Sequence, residues 1–155
     1  MSKVVKRKRL MFVSRLLFIV YLLFLLYFLL VSESMGRVTS DHYRYNLKPF
    51  VEINRFYNLF GTDSDLKAIL NIYGNIICFI PFGLYFTWIL KREKRLFIKI
   101  FLMTFIFSLT IETIQLFCKI GIFDVDDLIL NTFGGVIGYV LCEIYLGISK
   151  IAKKG

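Results

Sequence analysis

"LFIKIFLMTFIFSLTIETIQLF", Leu96 to Phe117, is almost wholly apolar, yet it carries Glu112 and Gln115 toward its end. Its length is what a bilayer demands, because about 20 residues rising about 1.5 Å each cross a hydrocarbon core of about 30 Å. Three more stretches qualify or nearly do: Leu10 to Val31, Ala68 to Leu90 and Leu128 to Ile148. Four such runs in 155 residues, with 57% hydrophobic and 20% charged residues, exclude an ordinary soluble domain. The expectation is an all-α integral membrane protein of four helices. Residues 1–31 form a basic N-terminus and first transmembrane helix, 32–67 an outer loop, and 68–155 a three-helix region with a cytoplasmic C-terminus.

Within the first and third runs, Arg15 and Lys99 lie near the basic ends, where long side chains snorkel to the headgroups. A signal peptide is the rival reading of the first run, with "SES" (Ser32 to Ser34) as a small-residue cleavage site. The apolar run exceeds the about 7 to 15 residues of a signal core, which favours an uncleaved helix.

Lysine and arginine set the orientation. Lys3, Lys6, Arg7, Lys8 and Arg9 precede the first run, "KREKR" (Lys91 to Arg95) separates the second from the third, and Lys150, Lys153 and Lys154 follow the fourth. Four spans put these segments on one side, and the positive-inside rule places both termini in the cytoplasm. The net charge of +9 is thereby explained by a membrane. "KVVKRKR" (Lys3 to Arg9) resembles a basic localisation patch, but no soluble fold presents it to nucleic acid, so no nucleic-acid partner is expected. Cys78, Cys118 and Cys142 lie in or at the edge of apolar segments, read as buried thiols acting as small hydrophobes, and an odd number gives no disulfide framework. His42 is alone in a polar loop, so no metal is expected, nor any cofactor.

With that topology the buried polar residues acquire a depth. Glu112 lies about 7 Å inside the outer boundary, Asn75 about 10 Å and Asn131 about 6 Å, all in the outer leaflet. They also share faces: at about 100° per residue, Thr104, Ser108, Glu112 and Gln115 span about 80° of the third helix. Asp127, Asn131, Gly134, Gly135 and Gly138 form a stripe on the fourth, and Asn71 and Asn75 stack on the second. Structural explanations compete at most positions. Asn71, Asn75, Ser108 and Asn131 suit interhelical hydrogen bonding, and "GGVIG" (Gly134 to Gly138) permits close helix packing. Asp124 suits an N-cap, with Asp126 and Asp127 in a first helical turn. Calcium is a weak reading of this run, which lacks the glycine and distant glutamate of an EF-hand loop. Glu143 points about 160° away from Asp127, near the cytoplasmic end, where it snorkels. Glu112 is hardest to explain structurally, since a charged carboxylate at the centre of a helix in lipid costs roughly 2.5 to 3.5 kcal/mol.

"NLKPF" (Asn46 to Phe50), "NIICFIPFG" (Asn75 to Gly83), "ETIQ" (Glu112 to Gln115) and "DVDDLILNTFGG" (Asp124 to Gly135) together resemble the VanZ-like membrane protein family. These motifs cover roughly Asn46 to Tyr139; the first helix matches as a generic apolar span. Many relatives place an arginine in the turn before the aspartates. Here "KIGIFD" (Lys119 to Asp124) offers only Lys119, which argues against bidentate anion binding at that turn. The resemblance implies a multi-pass protein of the bacterial cell membrane that lowers sensitivity to glycopeptide antibiotics of the teicoplanin type.

The expected site comprises Asn75, Glu112, Gln115, Asp127 and Asn131, binding a lipid-like molecule in the outer leaflet. Membrane lipids and a lipid-linked envelope precursor are the expected partners. A second reading makes Glu112 and Asp127 the acid and base, or metal ligands, of an enzyme acting on such a precursor. No nucleophile elbow, phosphate loop or His-rich motif supports it. A third, a small proton-coupled carrier, finds little beyond Tyr85 and Thr87 to continue a polar path.

Overall fold

The computed structural model describes residues 3–30, 41–58, 65–91 and 93–151. The "SES" segment and much of the expected outer loop lie outside the described residues. Four long helices account for the four apolar runs: α1 (Lys3–Leu30), α3 (Asp65–Leu90), α4 (Leu96–Cys118) and α5 (Val125–Ile151). Each is long and apolar enough to cross a membrane. Helix α1 starts earlier than the apolar run because the basic residues before it are also good helix formers.

The loop between α1 and α3 is more structured than the sequence pattern suggested. It contains a short helix, α2 (Val51–Tyr57), and a two-residue strand, β1 (Tyr45–Asn46). The strand pairs in parallel with β2 (Phe123–Asp124), Tyr45 facing Phe123 and Asn46 facing Asp124. Such a pairing between residues 78 apart carries no local signal, and two residues are too few for strand periodicity to show.

The helices run up and down. Ser14, Trp88 and Cys142 line one groove, which puts the start of α1 and the ends of α3 and α5 at one end of the bundle, called here the basic end. At the opposite, acidic end, α1 finishes beside Gln115 of α4, and β2 leads into α5.

Helices α3 and α5 share the most extensive interface. The glycines explain why. A Cβ at Gly134 would strike the Ile76 carbonyl, and one at Gly138 the Ile80 carbonyl, so the two backbones touch along this seam. A Cβ at Gly135 would strike the Thr104 side chain on α4, so α4 packs against the same stripe. The core toward α1 holds Leu25, Leu29, Phe79 and Ile111. Pro81 removes one amide from α3, leaving the Ile77 carbonyl without its helical donor. One residue on, the Cys78 carbonyl accepts a 2.6 Å hydrogen bond from the Tyr21 hydroxyl of α1.

At its acidic end α4 closes through Lys119, which is left-handed at φ 56°. The Lys119 amide donates to the Leu116 carbonyl and the Ile120 amide to the Gln115 carbonyl, both at 3.1 Å, which satisfies two of the terminal carbonyls of the helix.

Candidate functional site

A helix beginning at Val125 needs a side-chain acceptor just before it, and Asp124 provides one. Its Oδ1 accepts the Asp126 amide at 2.8 Å, the geometry of an N-cap. The amide of Asp124 in turn donates to Glu112 Oε2 at 3.0 Å, and Asn46 Nδ2 lies 3.3 Å from each oxygen of the Asp124 carboxylate. Glu112 is thus directed from α4 to the β2 backbone at the entrance of α5, where an amide left outside any helix needs an acceptor.

Asp126 has a role that the sequence did not disclose. Its buried carboxylate leaves α5 and accepts the amides of Phe50, Glu52 at 2.8 Å and Ile53 at 3.1 Å. These are the unsatisfied donors at the start of α2, so Asp126 caps a second helix from a distance. Phe50 enters α2 with φ 66°, a conformation bulky residues avoid, and the carboxylate holds it there. The available clue was stoichiometric: three aspartates precede or begin one helix that requires a single capping side chain. Burial pushes the neighbouring Glu52 carboxyl up; Arg55, 3.0 Å away, opposes this, and Asp124 and Asp126 add to it.

One turn into α5, Asp127 Oδ1 accepts a 2.6 Å hydrogen bond from Asn75 Nδ2 on α3. One turn further, Asn131 Nδ2 donates to Ser108 Oγ on α4 at 2.9 Å. Four of the five expected residues therefore form one polar layer across α3, α5 and α4, with Glu112 joined through Asp124. All are buried. Gln115 belongs to the same end but is turned toward α1, where its Nε2 donates to the Leu29 carbonyl at 2.7 Å.

The layer is not internally satisfied. Asn75 Oδ1 and Gln115 Oε1 are buried, and among the described residues nothing donates a hydrogen bond to either. The Gln115 orientation is fixed, because its amide nitrogen faces a backbone carbonyl, which only accepts. Asn131 Oδ1 is similarly unpartnered. Buried acceptors of this kind cost roughly 1 to 3 kcal/mol each when nothing donates to them.

Other expectations are distributed differently. Lys119 is engaged structurally, donating to the Asp41 carbonyl at 3.0 Å and lying 5.1 Å from the centre of the Tyr43 ring. Cys118 is exposed and Cys78 half-buried, so only Cys142 fits the reading as a buried small hydrophobe. Cys118 is the last residue of α4. Lys99 turns to Glu93 at 2.7 Å, and Glu143 is exposed. Among the described residues, no cluster of three or more His, Cys, Asp or Glu side chains is arranged to hold a metal.

Comparison with known proteins places the chain by family. Protein VanZ of Enterococcus faecium is 34% identical over 96 residues, covering 62% of this chain and 50% of that protein. The chain thus spans about half the length of the curated relative it matches. No solved structure matches. The VanZ/LLP1 family model matches residues 18–146, which brings the second part of α1, Phe18 to Leu30, into the family region although its sequence looked generic. The match covers most of the chain and includes all four long helices in whole or part, so this protein belongs to the VanZ/LLP1 family.

Proposed function

We propose that this protein lowers the sensitivity of a bacterium to glycopeptide antibiotics of the teicoplanin type by binding a lipid-like molecule at its polar layer. In this reading it lies in the cell membrane with both termini cytoplasmic, and its acidic end occupies the outer leaflet. The basic residues gathered at the other end support that orientation.

The observation that carries the proposal is the set of buried amide oxygens that meet no donor among the described residues. Asn75 Oδ1, Gln115 Oε1 and Asn131 Oδ1 are acceptors in a region that already bears Glu112 and Asp127. A layer that served only to join helices would pair its own groups, as a polar network in lipid is least costly when complete. A ligand bearing hydroxyl or amide donors on an apolar anchor would supply what is missing. The headgroup of a lipid-linked envelope precursor has that chemistry.

The test is antibiotic sensitivity. A susceptible bacterium expressing this protein should lose its protection against teicoplanin when Asn131→Ala or Asp127→Asn replaces the wild type at equal membrane level. Full protection by both variants would remove the site from the mechanism.

A further inference from the structure

A second place in the molecule has the build of a ligand site, and it lies at the end opposite the polar layer. Helices α1, α3 and α5 enclose a groove of about 470 Å³ whose walls include Leu17, Phe18, Tyr21, Leu84 and Tyr145. That volume falls within the range of about 300–1,000 Å³ common for small-molecule sites. Ser14 and Trp88 line this groove and also border a smaller recess of about 160 Å³, whose walls include Arg7, Arg15 and Lys91. An apolar slot thus opens directly onto three cations.

Among the described residues these three cations form no ion pair. The ion pairs among the described residues join Arg55 to Glu52 and Lys99 to Glu93, and neither involves Arg7, Arg15 or Lys91. Glu93 lies in an adjoining depression with Arg7 and Lys91, but its carboxylate is held by Lys99. The Lys91 ammonium stands 5.9 Å from the centre of the Trp88 ring, and tryptophan is a side chain of the membrane interface.

We propose that this groove binds one anionic phospholipid, with an acyl chain along Leu17, Phe18 and Leu84 and the phosphate among Arg7, Arg15 and Lys91. Each half accounts for one feature of the ligand. The three exposed cations select negative charge, each contributing about fivefold near a membrane surface. Exposed side-chain cations alone hold a free phosphate weakly, since salt screens them. The slot adds van der Waals contact along the acyl chain, which lipid already keeps from water, and so fixes where the lipid lies more than how tightly it is held. A zwitterionic headgroup matches less well, because its ammonium meets three like charges.

The experiment is native mass spectrometry of the full-length protein in mild detergent, titrated with dioleoyl phosphatidylglycerol, dioleoyl phosphatidylcholine and inorganic phosphate. Phosphatidylglycerol should be retained where phosphatidylcholine at the same concentration is not, and inorganic phosphate should fail to displace it. The variant Arg7→Ala/Arg15→Ala/Lys91→Ala should weaken phosphatidylglycerol by about 100-fold while melting without lipid as the wild type does. Leu17→Trp, at a position 64% exposed and therefore outside the core, should block the slot with the cations intact. Equal retention of the two lipids would overturn the proposal. So would displacement by inorganic phosphate, or wild-type affinity in either variant.

Discussion

At the acidic end of the bundle, buried carboxylates accept backbone amides from other elements: Glu112 from Asp124, and Asp126 from Phe50, Glu52 and Ile53. At the basic end the contacts are of another kind. Phe18 stacks on Tyr85 with centroids 3.7 Å apart and planes 5° from parallel, and meets Phe86 edge-on at 5.4 Å. One end is held by directional, charge-assisted hydrogen bonds, the other by area and shape. The first should be sensitive to changes of chemistry at constant volume, and the second to changes of volume at constant chemistry. The seam of glycines joins the two ends and should be the most sensitive of all.

The largest effect is therefore expected from Gly138→Val. Its side chain would be driven into the Ile80 carbonyl, a backbone atom that cannot turn aside as a flexible side chain would. Denaturant unfolding in detergent should show a loss of about 3 kcal/mol. Asp126→Asn comes next. It keeps the volume but removes the charge from an acceptor of three amides, costing about 2 kcal/mol. Because α2 is peripheral, the loss should register as faster hydrogen exchange over residues 50–58, with little change in global melting. Uniform slowing or no change there would break the contrast between the ends.

Phe18→Leu probes the aromatic end and should cost about 1 kcal/mol in the same unfolding assay, for the stacked pair it dissolves. Asn75→Leu should cost least, about 0.6 kcal/mol. It deprives Asp127 of a donor but also removes an unpartnered buried oxygen, and the two nearly offset. A cost above 2 kcal/mol would mean that Asn75 serves the fold more than the site.

The spans were legible because lipid imposes one strong rule on every residue of a crossing helix. Leu96 and Leu90 are helix limits in both sequence and structure. The start of α5 at Val125, ahead of the apolar run at Leu128, follows from the cap by Asp124, which a count of apolar residues does not register. Within the site, helical spacing brought Asn75, Asp127 and Asn131 to one layer, since faces and depths are one-dimensional properties. What spacing does not encode is the partner. Gln115 shares a face with Glu112, yet it reaches the Leu29 carbonyl on α1. Asp126 acts on α2, a helix whose mixed sequence "VEINRFY" gives no period of its own. Both depend on elements distant in the chain.

The central claim is that the polar layer holds a lipid-like ligand, and Glu112→Gln tests it most directly. Glutamine retains an oxygen to accept the Asp124 amide, so the fold should persist while the carboxylate is lost. Lipids that copurify with the wild type and with this variant should be identified by mass spectrometry at equal protein amounts. The account predicts that one lipid class disappears with Glu112→Gln and remains with the Arg7/Arg15/Lys91 triple alanine variant. Identical lipid profiles for the wild type and Glu112→Gln would contradict it.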